Sequence, residues 1–262
     1  MYDFEYVKPG SVAEAVAALQ SEDAMAISGG QTLLPTMKAR LAQPTKLIDL
    51  SGMADMTGIS VAADSVTIKG ATRHVDVERS ADLRGVFPAL ADLAGGIGDP
   101  AVRNRGTIGG SVANNDPAAC YPAVCMGTGA TIHTNTKQVA ADDFFQGMFD
   151  TALDEGELVT GVTFPIPQRA NYQKFLQPAS RFAMVGVFVA QYASGVRVGV
   201  TGASESGVFR LSEAEAALSA NFSADAVPAA PSADGMIGDI HGSPEYRAHL
   251  VHVMTKRAVA AS

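Results

Sequence analysis

The sequence predicts a mixed α+β protein, and three observations carry that prediction. A strand, a glycine-rich turn, a helix and a second strand follow one another within residues 24–50. Alternating apolar and polar residues mark hairpins over 59–68 and 184–200, the period expected of half-buried strands. Helical patterns lie between these hairpins, and an amphipathic helix runs from about Pro244 to Ala260.

In chain order, Ser11-Val12-Ala13-Glu14 has capping-box spacing, with a serine placed to accept from the N–H three residues on. The helix it opens runs to about Gln20, with Val12, Ala15, Val16 and Leu19 on one face. Ala24 to Ile27 reads as a short buried strand, Leu33 to Leu41 as a helix with Pro35 in its first turn, and Lys46 to Leu50 as a second strand. This β-α-β-like unit defines a first domain, residues 1–52. The hairpin Ile59–Val61 and Val66–Ile68 turns at Ala63-Asp64. Helices are expected over Val75–Ala81, Phe87–Leu93 and Ala118–Met126, and strands over Ala130–Thr134 and Leu158–Phe164, the last closed by Pro165 and Pro167. Residues 53–168 form the second domain. The third, 169–262, begins with Tyr172-Gln173-Lys174-Phe175 and holds a hairpin turning at Ser194-Gly195, an alanine-rich helix over Leu211–Ala220 and the final helix.

Composition narrows the function. The 262 residues are 47% hydrophobic and 18% charged, an ordinary globular balance. A net charge of −8 argues against a nucleic-acid face. No apolar run reaches the ~20 residues of a membrane span, and Met1-Tyr2-Asp3-Phe4-Glu5 does not read as a signal peptide, so a cytoplasmic location is expected. Cys120 and Cys125 are the only cysteines. They cannot supply the four thiolates of an iron–sulfur cluster, and C-x4-C alone is no zinc site. Tryptophan is absent. A redox role therefore requires a bound organic cofactor.

Two glycine-rich stretches have the composition of anion cradles. One is Ser28-Gly29-Gly30-Gln31-Thr32-Leu33, between the expected strand and helix. The other runs from Gly95 through Ile97-Gly98-Asp99-Pro100 and Thr107-Ile108-Gly109-Gly110-Ser111 to Asn114-Asn115-Asp116-Pro117. Glycine lets backbone N–H groups approach an anion closely, and a helix N-terminus favours phosphate. Two such cradles point to a ligand with a pyrophosphate at its middle; the competing reading is that these glycines are only turns. Neither stretch is a known nucleotide fingerprint: G-x-x-x-x-G-K-[ST] is missing, and Gly96-x-Gly98 is followed by Ala101 where a third glycine would stand.

S-G-G-Q-T-L-L-P at 28–35, with K-A-R-L at 38–41 and L-I-D-L at 47–50, resembles the N-terminal FAD motif of molybdenum hydroxylase flavin subunits. I-G-D-P-A-V-R-N-R-G-T-I-G-G-S-V-A-N-N-D-P at 97–117 is similar to the second FAD motif of that family, whose members include the medium subunits of carbon monoxide, aldehyde and xanthine dehydrogenases. The resemblance implies a vanillyl-alcohol-oxidase-type FAD-binding fold of two subdomains, followed by a C-terminal antiparallel sheet-and-helix domain. It also implies an oxidoreductase subunit carrying FAD. Molybdopterin would sit on a large partner subunit and [2Fe-2S] clusters on a small one, in a dimer of heterotrimers, with electrons leaving through this FAD to an external acceptor. The other readings left standing are a self-sufficient flavin oxidoreductase and a non-redox nucleotide-binding assembly module.

On this resemblance Ser28, Gly29, Gly30, Gln31, Thr32 and Leu33 hold one face of the pyrophosphate with N–H groups and a hydroxyl, and Thr107, Ile108, Gly109, Gly110 and Ser111 hold the other. Asn114 and Asp116 reach ribitol or ribose hydroxyls, with an N-cap at Asp116 as the alternative. Ile97 and Gly98 run beside the isoalloxazine, and Val159 is an apolar ring contact. Cys120 stands where many relatives carry Asp, and Ser28 where alanine is common. Lys174 is either a cation for the reduced flavin or a surface lysine. Arg103 and Arg105 pair with phosphate or a partner, or are solvated. Glu245, His249 and His252 share one side of the last helix without further ligands nearby in sequence, which reads as a solvated face and not a metal site.

Overall fold

Three main β-sheets follow one another along the chain in the computed structural model, which describes residues 1–262, and a separate two-stranded ribbon pairs Phe145–Gly147 with Asp150–Thr151. The first is parallel, with Lys46–Asp49 between Glu5–Val7 and Ala24–Ile27. Ser11 Oγ accepts from the Glu14 N–H at 3.2 Å and Glu14 Oε2 accepts from the Gly10 N–H at 2.8 Å, which starts the helix Val12–Leu19. Its inner face packs with Ile48, Leu50, Met53 and Met56. The strand Glu5–Val7 carries no apolar alternation, since Glu5 and Tyr6 are exposed; parallel pairing with residues 46–48 alone makes it a strand. The helix after the first glycine loop ends at Lys38, three residues short of the expected Leu41, where Arg40 takes φ +62°.

The second sheet is antiparallel and orders its strands Ile59–Val61, Ser65–Lys69, Val159–Pro165, Thr131–Thr134 and Gln138–Ala140. Its centre is the late strand Val159–Pro165, flanked by Ser65–Lys69 and Thr131–Thr134, so residues 70–130 form one long excursion between those two flanking strands. Three helices pack there, not the two expected: His74–Arg79, Ala81–Val86 and Pro88–Gly95. Ser80 Oγ accepts from the Leu83 N–H and caps the middle one. The second glycine stretch also contains helical turns, Pro100–Arg103 capped by Asp99 and Ile108–Asn114 capped by Thr107.

The third sheet is a meander of Arg169–Leu176, Ala183–Tyr192, Gly195–Ser204 and Gly207–Arg210. Val185, Val187 and Val189 face the helices Ser212–Ala220 and Pro244–Ala260, while Phe188 and Ala190 join the core of the second sheet. Burial on both faces explains the unbroken apolar run of this strand. The helix Cys120–Thr128, buried at every residue, packs against that second face. Gly199 permits the approach: a Cβ there would lie 2.1 Å from Ala123 O. No helix is long and apolar enough to cross a membrane.

Candidate functional site

A cavity of about 690 Å³ opens where the first two sheets meet, inside the ~300–1,000 Å³ range of cofactor pockets. One wall is the loop from Ser28 to Leu33, which leaves the C-terminal end of the strand Ala24–Ile27. Gly30 turns it at φ +68°. None of the backbone N–H groups from Ser28 through Leu33 donates to another protein group, so a row of consecutive donors is left for a ligand.

The opposite wall comes from the second glycine stretch, and the two touch. Thr107 Oγ1 donates to Ser28 Oγ at 3.0 Å. A Cβ on Gly29 would lie 2.2 Å from Arg105 O and 2.6 Å from Gly106 Cα. Here glycine is required because two backbones press together, which is a different reason from ligand approach.

The second stretch differs from the sequence reading in one respect. Its N–H groups are already engaged: Ile108 donates to Thr72 O, Gly109 to Gly70 O at 2.8 Å, Gly110 to Thr107 Oγ1 at 3.2 Å and Ser111 to Thr107 O. They start a helix and tie it to the sheet edge, so they are not free to cradle a phosphate. Gly109 is glycine because a Cβ would meet Gly70 O at 2.6 Å. What this wall offers is the Ser111 hydroxyl, which has no protein partner, and close access over Gly109 and Gly110. Ile108 points away, fully buried in the core.

The remaining candidates line the cavity with these residues. Gly98, at φ +51°, and Ile97 form one edge. Lys174 Nζ donates to Gly96 O at 2.6 Å and Arg181 O at 3.0 Å and lies 3.6 Å from Cys120 Sγ, so the lysine is tethered and not a free surface group. Cys120 is 5% exposed, at the first residue of its helix. Val159 and Asn114 line the wall, and the Asn114 side chain has no protein partner. Asp116 Oδ1 accepts from the Ala118 N–H at 2.8 Å in a tight turn, while Ala119 holds the N-cap position. Arg103 ion-pairs with Glu78 at 2.9 Å and donates to Ile97 O and Gly98 O, bracing the Gly98 turn. His252 Nδ1 lies 2.6 Å from Pro228 O, and no group of three metal-ligating side chains occurs on the last helix or elsewhere.

Sequence reasoning missed part of the wall: Gly70, Ala71 and His74, Glu157 and Leu158, and Ser180 to Phe182. None belongs to a glycine-rich stretch. The sheet brings 70–74 and 157–158 to one edge, and the turn before Ala183 brings the rest. Burial alone would raise the Glu157 carboxyl, but hydrogen bonds from Thr134, Thr136 and the Asp154 N–H, with Lys137, hold it down at about 2. Burial, aided by Arg103, pushes His74 down to about 4, so its imidazole is neutral.

A row of free N–H donors, hydroxyls at Ser28, Thr32 and Ser111, a tethered lysine and apolar walls at Ile27, Leu33, Val102 and Leu158 suit an extended molecule with an anionic middle and a flat apolar end. The comparisons agree. Residues 2–167 match the family of the FAD binding domain in molybdopterin dehydrogenase. The carbon monoxide dehydrogenase medium chain of Hydrogenophaga pseudoflava is 33% identical over 99% of this chain and 96% of its own length. The nicotine 6-hydroxylase medium subunit of Paenarthrobacter nicotinovorans is 32% identical over 97% and 95%. The solved structure of reconstituted CO dehydrogenase from Oligotropha carboxidovorans superposes with a TM-score of 0.89 at 30% identity, covering 99% of this chain and 97% of that one. The chain belongs to the family of FAD-binding domains of molybdopterin dehydrogenases.

Proposed function

We propose that this chain is the FAD-carrying medium subunit of a molybdenum hydroxylase, an oxidoreductase in which electrons from a partner's [2Fe-2S] clusters leave by way of this subunit for an external acceptor. The expected partners are a large molybdopterin-binding subunit and a small iron–sulfur subunit, as a dimer of heterotrimers in the cytoplasm. Two unpaired cysteines suit a reducing compartment. The domain division 1–52, 53–168 and 169–262 belongs to the same reading, each range holding one of the three main sheets.

One observation carries the proposal: the Ser28–Leu33 N–H row faces a cavity whose other wall is joined to it through Thr107 and Ser28. These N–H groups would hold the pyrophosphate by charge-assisted hydrogen bonds, with Ser111 and Thr32 adding hydroxyl donors. Asn114, which lines the cavity, would reach sugar hydroxyls. Lys174, tethered to Gly96 O and Arg181 O, keeps a cation beside Cys120 at the cavity edge that Ile97 and Gly98 form. When bound, FAD supplies the redox chemistry, and the chain supplies orientation and electrostatics. The chain holds no cluster ligands and no set of metal-ligating side chains of its own.

The test is purification of the tagged chain from its native host. Co-purification of two further chains with FAD, molybdenum and iron supports the proposal. A lone yellow chain whose flavin is bleached by a small substrate points instead to a self-sufficient oxidoreductase, and a colourless chain to an assembly module.

A further inference from the structure

His74 is a polar side chain of the cavity wall to which the flavin reading assigns no role. It opens the helix His74–Arg79 and is 4% exposed. Its main-chain N–H donates to Gly106 O at 2.9 Å, but the imidazole makes no hydrogen bond to any protein group, and Nδ1 is sealed from solvent. The ring leans on Tyr121 with centroids 5.4 Å apart. Nε2 lies over Gly106, where a Cβ would come within 2.6 Å of it. Both residues line the cavity. Arg103, the charge that acts on the ring, is paired with Glu78, and the flanking Arg73 is paired with Asp76.

A buried polar group without a partner costs about 1–3 kcal/mol, and orphaned buried N–H groups are rarer than orphaned acceptors. A neutral imidazole has one donor and one acceptor. The low-cost arrangement therefore leaves the sealed Nδ1 as the bare acceptor and puts the proton on Nε2, beside the cavity-lining Gly106. We propose that His74 is a cofactor-binding residue, its Nε2–H donating to an acceptor atom of bound FAD. This rests on the FAD reading. It explains why an imidazole, and not a leucine of similar volume, occupies a site with no protein partner.

The experiment uses the chain purified with its associated subunits, stripped of flavin and titrated with FAD. His74→Leu raises the FAD Kd about tenfold or more, while the melting temperature of the flavin-free complex stays the same or rises. His74→Gln, whose amide N–H reaches near the Nε2 position, restores the Kd to within about threefold of wild type. A His74→Leu complex with wild-type Kd overturns the inference and leaves the FAD reading standing. A wild-type complex that takes up no FAD overturns both. Should the leucine variant fail to assemble, carbethoxylation of wild-type His74, read by mass spectrometry, decides: protection by FAD supports the inference, and equal labelling with and without FAD overturns it.

Discussion

Thr107 and Ser28, 79 positions apart in sequence, share a hydrogen bond of 3.0 Å between their hydroxyls. The same Thr107 oxygen accepts from the Gly110 N–H, so one hydroxyl caps a helix and joins the two walls of the cavity. Thr107→Val removes both functions and is expected to cost about 1–2 kcal/mol, against about 0.5–1.5 kcal/mol for Ser28→Ala. A double-mutant cycle read by denaturant unfolding should show positive coupling. Strict additivity would mean that the joint between the walls carries no energy.

The glycines divide into two classes. Gly29 and Gly109 face backbone atoms at 2.2 and 2.6 Å, which cannot move aside. Gly29→Ala and Gly109→Ala should therefore lose stability and flavin together, by several kcal/mol of overpacking. Gly110 meets only Thr107 Oγ1, at 3.1 Å. Gly110→Ala should keep its stability within about 1 kcal/mol, since alanine also favours the helix. Thermal melts of the three variants check this ordering.

Cys120→Asp is expected to keep or strengthen flavin retention. The new carboxylate would lie near Lys174 Nζ, now 3.6 Å from the sulfur, and at the first residue of a helix, where negative charge is favoured. A Kd for FAD more than about tenfold weaker would show that position 120 does not tolerate a carboxylate.

Acid destabilises this protein in two windows. The native His74 pKa, near 4, lies below the ordinary 6.5, so as pH falls through 6.5 the unfolded chain takes up the proton first. Stability then declines between pH 6.5 and 4 by about 3 kcal/mol. Glu157 acts lower: held near 2 against an ordinary 4.5, its contribution is complete above pH 4.5 and lost as pH falls toward 2. Unfolding free energies of wild type and His74→Leu across pH 2–7 separate the two, because the variant should lose the upper slope and keep the lower one.

Much of the site was legible in the sequence because glycine marks backbone proximity, whichever partner the backbone meets. Gly29, Gly30, Gly98, Gly109 and Gly110 all line the cavity. What the sequence could not say was what each glycine meets. Gly109 looked like a phosphate glycine and is a packing glycine, because its neighbour Gly70 arrives by sheet pairing. His74 carried no local signal either; its unpartnered ring becomes visible only when Gly106 and Tyr121 close around it. In the fold, the first hairpin and the long helices were readable from period and the second hairpin from its Ser194-Gly195 turn, since Ala183–Tyr192 is buried on both faces and does not alternate, whereas Glu5–Val7 and Ala81–Val86 were not readable. The first is too exposed to alternate, and the second is six residues long, set by the Ser80 cap.

The central claim is that the space between residues 28–33 and 107–111 holds FAD, and a side chain placed there tests it most directly. Ser111 lines the cavity with an unpartnered hydroxyl, so Ser111→Phe fills the space without breaking a protein hydrogen bond. FAD released by acid from the purified complex is predicted at about one per chain for wild type and near zero for Ser111→Phe, with unchanged subunit composition. Full flavin content in the variant, or none in the wild type, would contradict it.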